Sequence, residues 1–299
     1  MLQHQFSRVA LLEEPIVALP TAMVYPLIRN NPNLDDVQLR SIFRLAPGTE
    51  IILVGVATDP ELEGLYRDMQ WLDIPSAISR LRILHITSPN FSFPISLPRT
   101  ESLTNRSRIV KASEQFSAAG LSVIPHLNAT DHSDFIYWGD FLRDRTDIKL
   151  IAKEFQTGLK SRKIVRWHVS QISAMQDRIG RRFGLVAIGG RGALSELTGF
   201  DSLTVIDSNP FLKAANRQVF IEEKPGWKLL EIPKGAPFDE HLRLNIQAYR
   251  TDFEKRLARL SSESAVPKVV FQIPDRPKRA VSRSDQGDLW PEMYLPKRA

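Results

Sequence analysis

Apolar runs of about five to eight residues, rich in β-branched side chains, recur along the chain. Each is followed by a turn and then by an amphipathic stretch. The runs predict strands at 16–19, 50–57, 81–87, 121–126, 148–153, 184–188 and 202–206, with a further one at 228–232. Ile51-Ile52-Leu53-Val54 and Leu185-Val186-Ala187-Ile188 are continuous apolar blocks. Strands covered on both faces by helices have that form. Eight strands separated by helices is the number that closes a β/α barrel. The expected fold class is therefore α/β: a TIM-like β/α barrel, or an incomplete version of one.

Helices are predicted between the strands. Residues 99–119 place Leu103, Ile109, Val110 and Phe116 among polar residues and stop at Gly120, which supplies the left-handed cap. Residues 134–145 carry Phe135, Ile136, Trp138, Phe141 and Leu142 at helical spacing, with Ser133 as the expected cap. A third helix is predicted at 169–179, ending at Gly180. A long fourth, at 239–260, aligns Leu242, Leu244, Ile246, Tyr249, Phe253, Leu257 and Leu260. Beyond residue 262 the prolines at 267, 274, 277, 291 and 296 cannot continue a helix. The predicted organisation is a barrel over 1–238, a C-terminal helix packed on it over 239–262, and an extended Pro-rich tail over 263–299 that docks through Phe271, Trp290 and Tyr294.

Composition narrows the possible chemistry. The chain has 299 residues, 42% apolar and 25% charged, as in globular proteins, and has no apolar run long enough to span a bilayer. The first residues lack the form of a signal peptide, so a cytoplasmic location is expected. With no cysteine, disulfides, thiolate zinc sites, iron–sulfur clusters and a cysteine nucleophile are excluded. The net charge of +6 favours acidic partners such as nucleic acid. Against this, the chain holds no dense arginine/lysine block and no aromatic ladder.

Polar and glycine residues gather where the predicted strands end, and in a parallel α/β fold those ends face one way. Asp207 follows the strand at 202–206 and precedes Ser208-Asn209-Pro210. Its carboxylate could be a nucleophile or general base, or the cap of the next helix. Gly189-Gly190-Arg191-Gly192 either lets backbone N–H groups and Arg191 approach a phosphate or forms a tight strand-to-helix turn. Glu154 and Gln156, on one face by alternation, could enter the mouth, where a glutamine amide suits the edge of a nucleobase. Asn90 and Ser92 are further mouth candidates, in a loop stiffened by Pro89, Pro94 and Pro98. His126, Asp131, His132 and Asp134 match no zinc spacing, and His85 reads as a core histidine. No metal and no organic cofactor is expected.

Two resemblances attach to these motifs. Ser88-Pro89-Asn90-Phe91-Ser92, then Arg106, then Gly120-Leu121-Ser122-Val123-Ile124-Pro125, resemble an uncharacterised family of phages and plasmids over about residues 80–190. Phe155-Gln156-Thr157-Gly158, Ala187-Ile188-Gly189-Gly190 and Ile206-Asp207-Ser208 occur in the order seen in the tRNA-guanine transglycosylase superfamily, which includes relatives that insert deazapurines into DNA. That resemblance implies a β/α barrel in which Gln156 and Gly190 bind the base and Asp207 attacks the ribose carbon. It also implies a covalent intermediate with RNA or DNA, and His241 would open the helix that follows the family's zinc cysteines. Here those cysteines are absent, and Ser88-Pro89-Asn90-Phe91 stands where the family carries its first aspartate. Three functions follow as expectations: base exchange through Asp207, a non-catalytic barrel binding nucleic acid or protein, and a barrel enzyme with a phosphate site at residues 189–192.

Overall fold

The computed structural model describes residues 8–93, 98–156, 161–197, 199–221, 226–229, 238–263 and 268–269, with the backbone alone at 261–263 and 268–269. Four parallel strands come first and pair in chain order: β1 (Ile16–Pro20), β2 (Glu50–Val54), β3 (His85–Thr87) and β4 (Val123–Ile124). A second parallel set holds β5 (Leu150–Glu154), β6 (Gly184–Ile188) and β7 (Ser202–Ile206), again in order. A single parallel bridge, His126 to Ala152, joins β4 to β5.

Helices fill the connections: α1 (Thr21–Asn30) and α2 (Asp36–Ile42) after β1, α3 (Asp59–Met69) and α4 (Ile74–Ser79) after β2. Then come α5 (Arg99–Ala118), α6 (His132–Arg143) and α7 (Arg162–Ile179), one per strand, and α8 (Asn209–Ala215) after β7. A 3-10 turn at Arg191–Glu196 replaces the helix expected after β6. Local chemistry sets the starts. Asp35 with Gln38, Thr58 with Glu61, and Asp131 with Asp134 form reciprocal capping boxes at α2, α3 and α6. The cap of α6 is thus Asp131, two residues before the expected Ser133, because its carboxylate accepts the Asp134 N–H. Gly180 closes α7 with φ 68°, as its position after the apolar stripe predicts.

Two predictions about strands need correcting. The run at 228–232 is not a barrel-type strand: β9 (Gly226–Leu229) pairs antiparallel with β8 (Gln218–Ile221) in a separate hairpin. The strand that does lie beside β7 is β10 (Lys268–Val269), parallel to it and inside the segment predicted as an extended tail. The tail aromatics Phe271, Trp290 and Tyr294 lie outside the described residues.

Alternation along each strand separates two faces. One face packs against the helices: Ile51, Leu53 and Ile86 with α1, α3, α4 and α5, and Ile151, Leu185 and Leu203 with α6 and α7. The other face gathers Ala18, Ile52, Val54, Ile124, Ala152, Val186, Ile188 and Ile206 into one cluster. Strands β1 and β7, far apart in the pairing order, both contribute to it. The long helix α9 (Phe238–Glu263) joins the two helix-side cores: Leu242 belongs to the one with β1 and β2, Phe253 and Leu257 to the one with β5–β7. Asp239 near its start accepts the N–H groups of Val9 and Ala10 and pairs with Arg8, while Arg250 pairs with Glu14.

Candidate functional site

The ends of β3, β4 and β5 are tied together by side chains. Asn90 Nδ2 donates to Glu154 Oε2 at 2.7 Å. Asn128 Nδ2 donates to Asn90 Oδ1 at 3.0 Å and to the Phe91 carbonyl at 2.7 Å. A carboxylate and two carboxamides from three successive strand ends therefore form one half-buried chain.

Backbone packing sets this chain in place. The Gly55 N–H donates to Thr87 Oγ1 at 2.7 Å, and the Asn90 N–H donates to the Gly55 carbonyl at 2.7 Å. A Cβ on Gly55 would meet the Ser88 carbonyl oxygen at 2.5 Å, so only glycine lets the end of β2 approach this closely. Ser88 Oγ accepts the His126 N–H at 2.8 Å and so fastens β3 to β4.

Beyond His126 the β4–β5 ladder changes partners. The Glu154 N–H, which a regular ladder would give to a carbonyl, donates to His126 Nε2 at 3.2 Å. The Leu127 carbonyl accepts instead from Lys153 Nζ at 3.1 Å. An accepting Nε2 places the imidazole proton on Nδ1. Burial holds His126 neutral, its pKa lowered to about 3, with the Lys153 charge adding to the effect. Burial likewise lowers Lys153 to about 8, with Glu154 and Asp134 pulling the other way. Lys153 shares its face with Ile151 and Phe155, among the helices, so it lies on the opposite side of the strand from Glu154.

The ends of β6 and β7 differ. Gly189 has φ 77°, and a Cβ there would lie 2.3 Å from Gln156 Cγ, so the Gln156 side chain rests on the Gly189 backbone. Gly190, φ 84°, packs against the Phe155 ring. These contacts bring Gln156, Gly189 and Gly190 side by side; Thr157 and Gly158 lie outside the described residues.

Arg191 turns away to α9. It pairs with Asp252, and its guanidinium lies 4.4 Å from the Tyr249 ring centroid and 5.1 Å from that of Phe220. Asp207 also meets α9: Oδ1 accepts the Asn209 N–H at 2.8 Å, and Oδ2 accepts the Tyr249 hydroxyl proton. Burial, and then the Asp207 carboxylate, push the Tyr249 hydroxyl far above its ordinary pKa. Burial alone would raise Asp252, but hydrogen bonds from Arg256 and Arg191 hold it below the usual carboxylate range.

No protein-family model and no curated protein matches this chain.

The remaining polar residues are accounted for by the fold. Asp134 is buried; burial raises its pKa, but Arg99 and the Thr130 N–H outweigh that and keep it ionised. Asp131 caps α6, and His132 bonds Gln171 at 2.6 Å. Among the described residues no group of three or more His, Asp or Glu is placed to hold a metal ion. His85 is a core histidine, bonded to Ser122 Oγ at 2.8 Å, with its pKa lowered to about 4 by burial. Ser92 gives its carbonyl to Asn105 and its N–H to Asp59, on the surface. Among the described residues no helix is long and apolar enough to cross a membrane.

From sequence, His126 is weighed only as a metal ligand and Asn128 is not singled out, although the rule that selected Asn90 reaches Asn128: it is a carboxamide just past a strand end. Tyr249 and Asp252 carried no such signal. Tyr249 fits the apolar stripe of α9, and Asp252 reads as a solvated neighbour.

Proposed function

We propose that the protein is a β/α barrel that binds a flat polar ligand of nucleobase type at the carboxyl ends of its strands. The observation that carries this reading is the Asn128–Asn90–Glu154 chain across three strand ends. Carboxamides offer donor and acceptor together, and a carboxylate accepts only, which suits the mixed edge of a base. Closure into a barrel is supported by the cluster that Ala18 of β1 shares with Ile206 of β7. Ligands of parallel α/β folds bind at this end of the sheet.

Base exchange through Asp207 is the second reading. The placement of Gln156 on Gly189, beside Gly190, favours it. It requires Asp207 to give up Tyr249 for the ribose, since Oδ1 already accepts the Asn209 N–H and Oδ2 is held by the tyrosine. A phosphate at residues 189–192 would have to displace Asp252 from Arg191. The binding reading therefore stands first.

Mass spectrometry of small molecules released from the purified protein, followed by calorimetric titration of free bases and nucleosides, tests it. A base that binds the wild type and is lost in Glu154→Gln and Asn90→Ala supports the reading. No base bound by the wild type sinks it. A covalent adduct with labelled RNA or DNA, formed by the wild type and absent in Asp207→Ala, would move base exchange to first place.

A further inference from the structure

On the outer edge of the same face, the first turns of α7 combine positive charge with an exposed aromatic ring. Arg162, Lys163 and Arg166 are exposed. The side chains of Arg162 and Arg166 remain 68% and 66% accessible even though both reach Glu196. Glu196 is itself buried; burial raises its pKa, but hydrogen bonds from Ser195 and Arg166 keep it ionised. One buried carboxylate thus holds two largely exposed guanidinium groups side by side, with Arg162 also reaching Ser195 Oγ at 3.4 Å. Arg29 and Arg67 share the buried Asp68 in the same way, while Arg182 pairs with the exposed Asp177; the α7 patch adds a third cation, Lys163, and an aromatic ring on the same helix. Here three cations meet one acid, which leaves the patch net positive.

Beside the cations, Trp167 is 37% exposed and Ile164 42%. The indole stands edge-on against Phe135, with ring centroids 5.8 Å apart, and against His168 at 4.8 Å. Ring contacts of this kind hold the indole in place while part of it stays in solvent. Cations that track a phosphate backbone, next to an aromatic ring on which a base can stack, form the working unit of single-strand binding surfaces. An acidic peptide would use the cations and leave the indole without a function.

We propose that the surface of α7 formed by Arg162, Lys163, Arg166 and Trp167 docks single-stranded nucleic acid, with phosphates on the cations and one base against Trp167. The helix follows β5, so the docked strand would run beside Glu154 and Gln156. The inference uses different residues from the base-binding reading, and either can fail alone, because free-base binding is measured separately on the same protein.

The test is fluorescence anisotropy of a labelled mixed-sequence 12-nucleotide RNA, and the same sequence as DNA, with the full chain. Three phosphate contacts on a single strand give a log–log salt slope of about −2, a weakening of about 16-fold between 50 and 200 mM salt. Arg162→Gln/Lys163→Gln/Arg166→Gln/Glu196→Gln removes the patch together with its buried counter-charge, and is expected to lose about tenfold or more and to flatten that slope. Arg143→Gln/Arg182→Gln makes the same net change of two charges elsewhere and is expected to lose less than about threefold. Lys163→Glu, at an exposed side chain outside the Glu196 contacts, is expected to repeat the loss, with the urea midpoint unchanged as its folding control. Trp167→Leu is expected to weaken binding about tenfold with the slope unchanged. No binding by the wild type at 50 mM salt overturns the inference. So do equal losses in the patch and control variants, and so does displacement of the oligonucleotide by polyglutamate as effective as that by unlabelled strand.

Discussion

The strand ends at β3–β5 and those at β6–β7 carry similar sequence signals and have different fates. At β3–β5 the polar side chains bond to one another across strands and stay half-exposed. At β6–β7 they are taken up by a helix: Asp207 by Tyr249 and Arg191 by Asp252. A carboxylate after a strand is a candidate in either place. What decides its availability is whether another element packs over it, and no local motif encodes that.

Breaking the helix side should cost most. Arg191→Ala removes one of the two guanidinium partners of a largely buried Asp252, leaving Arg256, and also the cation beside two rings, and is expected to destabilise the fold by about 2–4 kcal/mol in urea unfolding. Asp207→Ala, which leaves the buried Tyr249 hydroxyl without its acceptor, should cost about 2–3 kcal/mol. If either variant is as stable as wild type, α9 does not hold these side chains and the contrast disappears. Gly189→Ala should cost about 1–3 kcal/mol, since its backbone is left-handed and Gln156 occupies the Cβ position. A crystal structure of that variant with Gln156 unmoved would contradict the proposed contact.

Acid should act on the β3–β5 side. His126, His85 and His168 have folded pKa values of about 3, 4 and 3, below the ordinary 6.5. Between those values and 6.5 the unfolded chain binds more protons than the folded one. Stability is therefore complete above about pH 6.5 and falls as pH drops, by at most about 1.4 kcal/mol per pH unit for each histidine. His126→Gln keeps an acceptor for the Glu154 N–H and should flatten the profile; an unchanged slope would remove His126 from the account. The smallest effect belongs to Asn90→Ala. It should change stability by about 1 kcal/mol or less, because water can replace its half-exposed bonds, while it abolishes base binding.

Periodicity made much of the frame legible. The strands at 184–188 and 202–206 have the predicted limits, and the stripe of α9 from Leu242 to Leu260 marked a real helix. Of the four helices between β1 and β3, all unpredicted, α2 and α4 are only about two turns long and leave little pattern, whereas α1 and α3 carry apolar stripes (Val24, Tyr25 and Ile28; Leu62, Leu65 and Met69) that were passed over. The strand at 81–87 shrinks to His85–Thr87 because Arg82, with φ 50°, turns the chain first. β10 was missed because two paired residues leave no pattern. At the site, Asn90, Glu154 and Gln156 stood out by type and position. The closing role of Tyr249 depends on a contact 42 residues away in sequence, which alternation and caps do not report.

The position of α9 also constrains how the protein is made. Leu242 completes one core and Phe253 and Leu257 the other, and Asp239 fastens the helix to residues 8–10 at the opposite end of the chain. During synthesis the seven sequential strands emerge from the ribosome before the element that both cores require. Until residue 242 has left the exit tunnel the first core is incomplete, and until residue 257 has left it so is the second, and the nascent chain exposes apolar surface that a chaperone would recognise.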